Sequence, residues 1–125
     1  MESLGPTVST SDYFSVDVRR FERSATLFLK GELDLGSAEV LSDALTAVEI
    51  FGADPVVVDM SLVGFLDCSG LSVLLGAYNR ACRDDRNLLI TNPQATVRRI
   101  FALTGCNHLL NGSARQDPGG LKAPA

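Results

Sequence analysis

The side chains here with strong nucleophilic or metal-binding chemistry are three cysteines, Cys68, Cys82 and Cys106, and a single histidine, His108. A Cys–His hydrolase needs thiol and imidazole in contact, with a third group orienting the ring. A structural zinc site needs cysteines paired at short spacing, and these three are an odd number with no such spacing. The stretch Gly64-Phe65-Leu66-Asp67-Cys68-Ser69-Gly70 is framed by two glycines, as nucleotide-binding loops are. The Lys and Ser/Thr that would follow are missing, so no ammonium reaches a terminal phosphate. The carboxylates Asp34, Asp59 and Asp67 define no acid–base pair by spacing. The chain therefore reads as a binding protein without metal or cofactor.

The elements that must position these residues follow from periodicity. Phe14, Val16 and Val18 alternate with polar residues, as do Leu27, Leu29 and Leu33, which predicts two antiparallel strands joined by a turn over Arg19 to Ser24. Ser37 is the expected cap of a first helix, with Glu39 in its first turn. Leu41, Ala44, Leu45 and Val48 lie on its apolar face and Gly52 just past its end. Pro55 to Met60 reads as a strand buried on both faces. A second helix carries Leu71, Leu74, Leu75, Tyr78 and Cys82 as one stripe and ends near Arg83-Asp84-Asp85. Leu88 to Ile90 is a short strand, and Asn92-Pro93 opens a third helix with Gly105 as its terminator. Leu109 and Leu110 suggest a last strand. The order is β-β-α-β-α-β-α-β, an α/β fold with right-handed crossovers onto a mostly parallel sheet.

This topology separates the reactive groups. Cys68 stands where a strand enters a helix, at the carboxyl end of the sheet, while His108 follows a helix end and belongs to the opposite side. Cys82 lies at the end of the second helix and Cys106 just past the end of the third, at the same end of the sheet, so an intramolecular disulfide, if formed, pairs these two. A helix of about 14 residues, roughly 20 Å long, holds Cys68 out of reach.

One domain accounts for the 125 residues, of which 46% are hydrophobic and 21% charged. Residues 1–12 and 112–125, rich in Gly, Pro, Ser and Thr, are expected as flexible tails around a domain over 13–111. The net charge of −4 argues against nucleic acid as a partner. No apolar stretch is long enough for a bilayer and no leader is evident, so a cytoplasmic protein is expected. A monomer or weak dimer is expected too, any self-contact coming from helix faces of Leu, Val and Ala.

Three ordered segments resemble the STAS domain of bacterial anti-sigma-factor antagonists: Gly31-Glu32-Leu33-Asp34, Phe65 through Leu71, and Pro93 to Gly105. The resemblance implies the STAS fold, a small mixed sheet with helices packed against it. It also implies a non-enzymatic protein that binds an anti-sigma factor, usually a GHKL-type serine kinase, and frees a sigma factor for transcription. The expected contact surface comprises Asp34, Phe65, Leu66, Asp67, Cys68, Ser69, Gly70 and Leu71. A STAS module acting as a scaffold or sensor for a small ligand or signalling complex is the alternative.

In that family the kinase phosphorylates the Ser or Thr directly after the motif Asp, and here that position holds Cys68. A thiol is not a normal substrate for such a kinase. Three readings stay open: Cys68 is a small residue without a switch, Ser69 accepts the phosphate instead, or Cys68 is a thiol switch.

Overall fold

The computed structural model describes residues 7–11 and 13–111. Its elements are β1 (Thr7–Ser11), β2 (Phe14–Phe21), β3 (Ser24–Leu33), α1 (Leu35–Phe51), β4 (Val56–Leu66), α2 (Cys68–Arg83), β5 (Leu88–Thr91) and α3 (Ala95–Leu103), followed by a 3-10 turn over Asn107–Asn111. The five strands form one sheet in chain order. β1, β2 and β3 pair antiparallel, and β3, β4 and β5 pair parallel.

The period-two pattern sets the layers. Ala25, Leu27, Leu29 and Leu33 of β3 point into the core, where they meet Val16 and Val18 of β2, Val56, Val58 and Met60 of β4, and Leu88 and Ile90 of β5. The helices close over that one face through Leu41, Leu45 and Val48 of α1, Leu71, Leu74, Ala77 and Ala81 of α2, and Val97 and Phe101 of α3. Helices α1 and α2 are tied together by Arg80 of α2, which donates from Nε and Nη2 to the two oxygens of Glu49, each at 2.9 Å. This fork geometry suits a guanidinium and carboxylate that are both partly shielded from water.

Several expectations change. The N-terminal tail contains a strand, because Thr7–Ser11 extends the β2 edge; residues 1–6, 12 and 112–125 lie outside the described residues. The final strand at Leu109 and Leu110 is a 3-10 turn that buries Leu109. The Val56–Val58 strand is covered on one face only: Val57 points away from the helices and is half-buried. The sheet is therefore a two-layer assembly with an open face. The α1 start moves forward to Leu35 with Asp34 as its cap, so Glu39 falls beyond the first turn. Gln94 replaces Asn92 as the residue before α3, since Asn92 adopts a left-handed φ of 57° and turns its amide to Asp59. The Leu, Val and Ala faces of the helices point into the core and are not free for self-contact.

The alternation makes a stability prediction. Leu29→Ala leaves a cavity in the core and lowers unfolding free energy by about 2–5 kcal/mol. Lys30→Ala, on the open face, stays within about 0.5 kcal/mol of wild type. Urea unfolding at equilibrium reads both.

Candidate functional site

Two neighbouring parallel strands, β3 and β4, end side by side, and each runs straight into a helix. The residue at each junction is an aspartate. Asp34 caps α1: its Oδ1 accepts the Gly36 amide at 3.0 Å, and its own amide donates to the Ser37 hydroxyl at 2.9 Å. Ser37 is fully buried and donates in turn to the Glu32 carbonyl at 2.7 Å. Asp67 caps α2, its Oδ1 accepting the amides of Ser69 at 2.8 Å and Gly70 at 3.2 Å. Short polar side chains are favoured at these positions because they satisfy amides that have no partner within the helix.

A backbone contact locks the two junctions together. The Asp67 amide donates to the Leu33 carbonyl at 3.1 Å. Gly70, one turn into α2, lies so close to β3 that a Cβ there would stand 2.5 Å from Leu33 Cγ and 2.9 Å from its carbonyl oxygen. The glycine is required by this approach and not by its φ. The positive ends of two helices consequently open on one pole of the domain, each balanced by its capping carboxylate.

The structure divides the expected contact residues into two groups. Phe65 and Cys68 are exposed, and Asp34, Asp67 and Ser69 are half-buried at the rim. Leu66, Gly70 and Leu71 are buried, so they carry the pole from beneath and present no side chain to a partner. Register shifts in the β3–β4 pairing, after Phe28 and again after Gly31, leave Leu62 facing solvent between core residues Met60 and Val63, and Phe65 between Val63 and Leu66.

Two residues of the pole were not evident from sequence. Leu35, 77% exposed, follows Asp34 at the start of α1. Tyr13 donates its hydroxyl to Asp34 Oδ1 at 2.8 Å and packs where a side chain on Gly36 would otherwise go. No spacing rule links Tyr13 to Asp34, because the pairing depends on the β2–β3 register that sets Phe14 opposite Gly31. The Tyr13 hydrogen bond, against an opposing burial effect and with help from Ser37 and the Gly36 amide, holds the Asp34 carboxyl below its ordinary 3.8.

The other reactive groups lie apart from the pole. The three cysteines are free thiols: Cys68 and Cys82 are exposed and Cys106 is buried, its Sγ 3.7 Å from the Thr104 carbonyl oxygen. Cys82 and Cys106 are not bonded to each other, and Cys82 lies outside the core stripe to which its spacing assigned it. His108 packs edge-on against Tyr78, with ring centroids 5.2 Å apart. Tyr78 is about 15 Å along α2 from Cys68, so no Cys–His pair forms. Among the described residues no group of His, Cys, Asp or Glu is arranged to hold a metal. No helix among them is long and apolar enough to cross a membrane.

The caps generate two expected outcomes. Asp67→Ala removes the acceptor of two amides and costs about 1–2 kcal/mol in urea unfolding, whereas Asp67→Asn retains most of the stability. Because the folded pKa of Asp34 is depressed, its contribution is complete above its ordinary 3.8 and is lost as pH falls through the folded value. Tyr13→Phe shifts that loss to higher pH, and carboxyl NMR titration follows it directly.

Comparison with known proteins gives the pole a context. The family model described as Mlab, STAS domain, matches residues 16–111. The Bacillus subtilis anti-sigma-B factor antagonist is 29% identical over 105 residues, covering 84% of this chain and 95% of that protein. The Staphylococcus epidermidis protein of the same name is 26% identical over 105 residues, covering 84% and 87%. Among solved structures, an anti-sigma factor antagonist from Mycobacterium paratuberculosis superposes with a TM-score of 0.69 at 26% identity, covering 80% of this chain and 85% of that one. The unphosphorylated anti-sigma factor antagonist SpoIIAA shares the fold, with a TM-score of 0.66 at 20% identity and 88% of each chain covered. With its family match running from β2 through the final 3-10 turn, and with the mixed sheet and helix order of these structures, the chain belongs to the STAS-domain family.

Proposed function

We propose that this protein is an anti-sigma-factor antagonist of the cytoplasm, binding an anti-sigma factor of the GHKL serine-kinase type and thereby freeing a sigma factor for transcription. It acts by binding alone. The observation that carries this reading is the pole itself: two aspartate-capped helix starts side by side, with Leu35, Phe65 and Cys68 projecting from a rigid base of Leu33, Leu66, Gly70 and Leu71. Exposed apolar side chains set among carboxylates and helix ends suit a protein partner, because they offer burial together with directed polar contacts. The names of the relatives supply the partner class.

In this reading Cys68 stands at the centre of the contact, as the first residue of α2. Where the family carries a phosphoacceptor hydroxyl, this chain presents a thiol, so the kinase has no acceptor at this position and phosphate does not dissociate the complex. Ser69 is a poorer substitute: it is half-buried, and one step along the helix start turns its side chain by about 100° from that of residue 68. Any control at residue 68 acts through the exposed thiol or not at all.

A pull-down from native extract under reducing conditions tests this. Wild type should retain a GHKL-type ATPase, and Cys68→Glu, which places a negative charge in the contact, should retain at least about tenfold less. With the retained kinase and ATP, Cys68→Ser should gain phosphate at residue 68 while wild type gains none. Absence of any such ATPase, or equal retention by Cys68→Glu, overturns the proposal.

A further inference from the structure

The face of the sheet turned away from the helices carries more apolar surface than solvent contact requires. Along its outward positions Phe28 stands between Asp17 and Asp59, Val57 between Thr26 and Leu89, and Leu62 beside Lys30, with Phe21 at the hairpin opposite Ser24. Phe21 is 73% exposed, Leu62 58%, Phe28 42% and Leu89 38%. A solvated antiparallel sheet ordinarily alternates apolar inside with polar outside, and here Phe28, its diagonal neighbours Val57 and Leu62, and Leu89 beside Val57 form an apolar patch of the kind that marks an interaction surface. The patch spans β3 to β5, away from the tips of α1 and α2.

Three observations identify the occupant. The first is area: strands spaced about 4.8 Å apart and rising about 3.3 Å per residue give a face on the order of 600 Å² in projection. With side-chain relief added, this approaches the roughly 800 Å² per partner of a standard specific interface. The second is charge. The chain as a whole is at −4, yet the outward charges along β2, β3 and β4 nearly balance, Arg19 and Lys30 against Asp17, Glu32 and Asp59. Arg19 already forks onto Asp17, both contacts at 3.1 Å. A copy of this face therefore meets another with less like-charge repulsion than the rest of the surface imposes. The third is the sequence outside the described residues: 112–125 contain one large apolar side chain, Leu121, and 1–6 contain Met1 and Leu4, too few to cover the patch.

We propose that this open face is the self-association surface of the protein, two copies packing sheet against sheet about a two-fold axis. The same residues serve both sides, Phe28 and Leu89 of one copy facing the apolar patch of the other at the sheet spacing of about 10 Å. The pole with Asp34 and Cys68 lies at the strand ends, so each copy keeps its own partner site.

Sedimentation equilibrium of the full chain from about 10 to about 500 µM tests the proposal. Wild type should pass from the 13.3 kDa chain mass toward twice that value. Phe28→Glu and Leu89→Glu, each setting an unpaired charge into the contact, should weaken association by at least about tenfold. Phe51→Glu, on an exposed residue at the end of α1, should leave it unchanged. Circular dichroism confirms that each variant is folded. A wild type monomeric throughout overturns the proposal. So does a dimer unaffected by Phe28→Glu and Leu89→Glu, or one weakened equally by Phe51→Glu. If a monomeric wild type exposes apolar surface to a dye only after deletion of 112–125, the face belongs to that segment and not to a second copy.

Discussion

The contact between the end of β3 and the start of α2 is the constraint on which the rest of the molecule depends. The Asp67 amide bonds the Leu33 carbonyl, and Gly70 lies against Leu33 without room for a side chain. These two features fix how closely α2 approaches the sheet. That approach sets which α2 residues reach the core, Leu71 and Leu74 first, and brings the helix beside α1, where Arg80 and Glu49 join them. Two parallel strands with capped helices at their ends always place both caps on one side; the glycine makes the arrangement tight enough to present them as one surface.

Function follows from what this arrangement leaves outside. Core residues occupy every inward position at the pole, so its shape resists deformation, and the exposed residues are carried on element ends that cannot shift independently. Recognition by such a surface costs little ordering entropy, because the partner meets groups already in place. Replacing a hydroxyl by a thiol at residue 68 changes neither the cap nor the backbone. On the proposed reading, what changes is the covalent chemistry open at that position.

Much of this was legible in the sequence where local rules and tertiary context agree. The alternation in β2 and β3, the stripe of α2 and the motif from Phe65 to Leu71 predicted those elements and their order, and the family match over 16–111 and the STAS-fold structures agree with it. The misreadings share a cause, long-range pairing. Thr7–Ser11 has a polar, turn-like composition and becomes a strand through pairing with β2. The Ser37 hydroxyl suits a cap, yet Ser37 is the third helical residue, buried and completing a capping box with Asp34. The Val56–Val58 run looks buried on both faces, but a sheet with helices on one side leaves Val57 half-open. Tyr13 reaches Asp34 only through the β2–β3 register, which no local pattern reports.

The central claim, that the pole of Asp34 and Cys68 is where the partner docks, is tested most directly by hydrogen–deuterium exchange of this chain with and without the retained ATPase. The account predicts that added protection concentrates in the first turns of α1 and α2, over residues 34–38 and 67–71, and in the end of β4 at Phe65. Protection confined to the β2–β3 hairpin or to α3, with those helix starts unchanged, would contradict it.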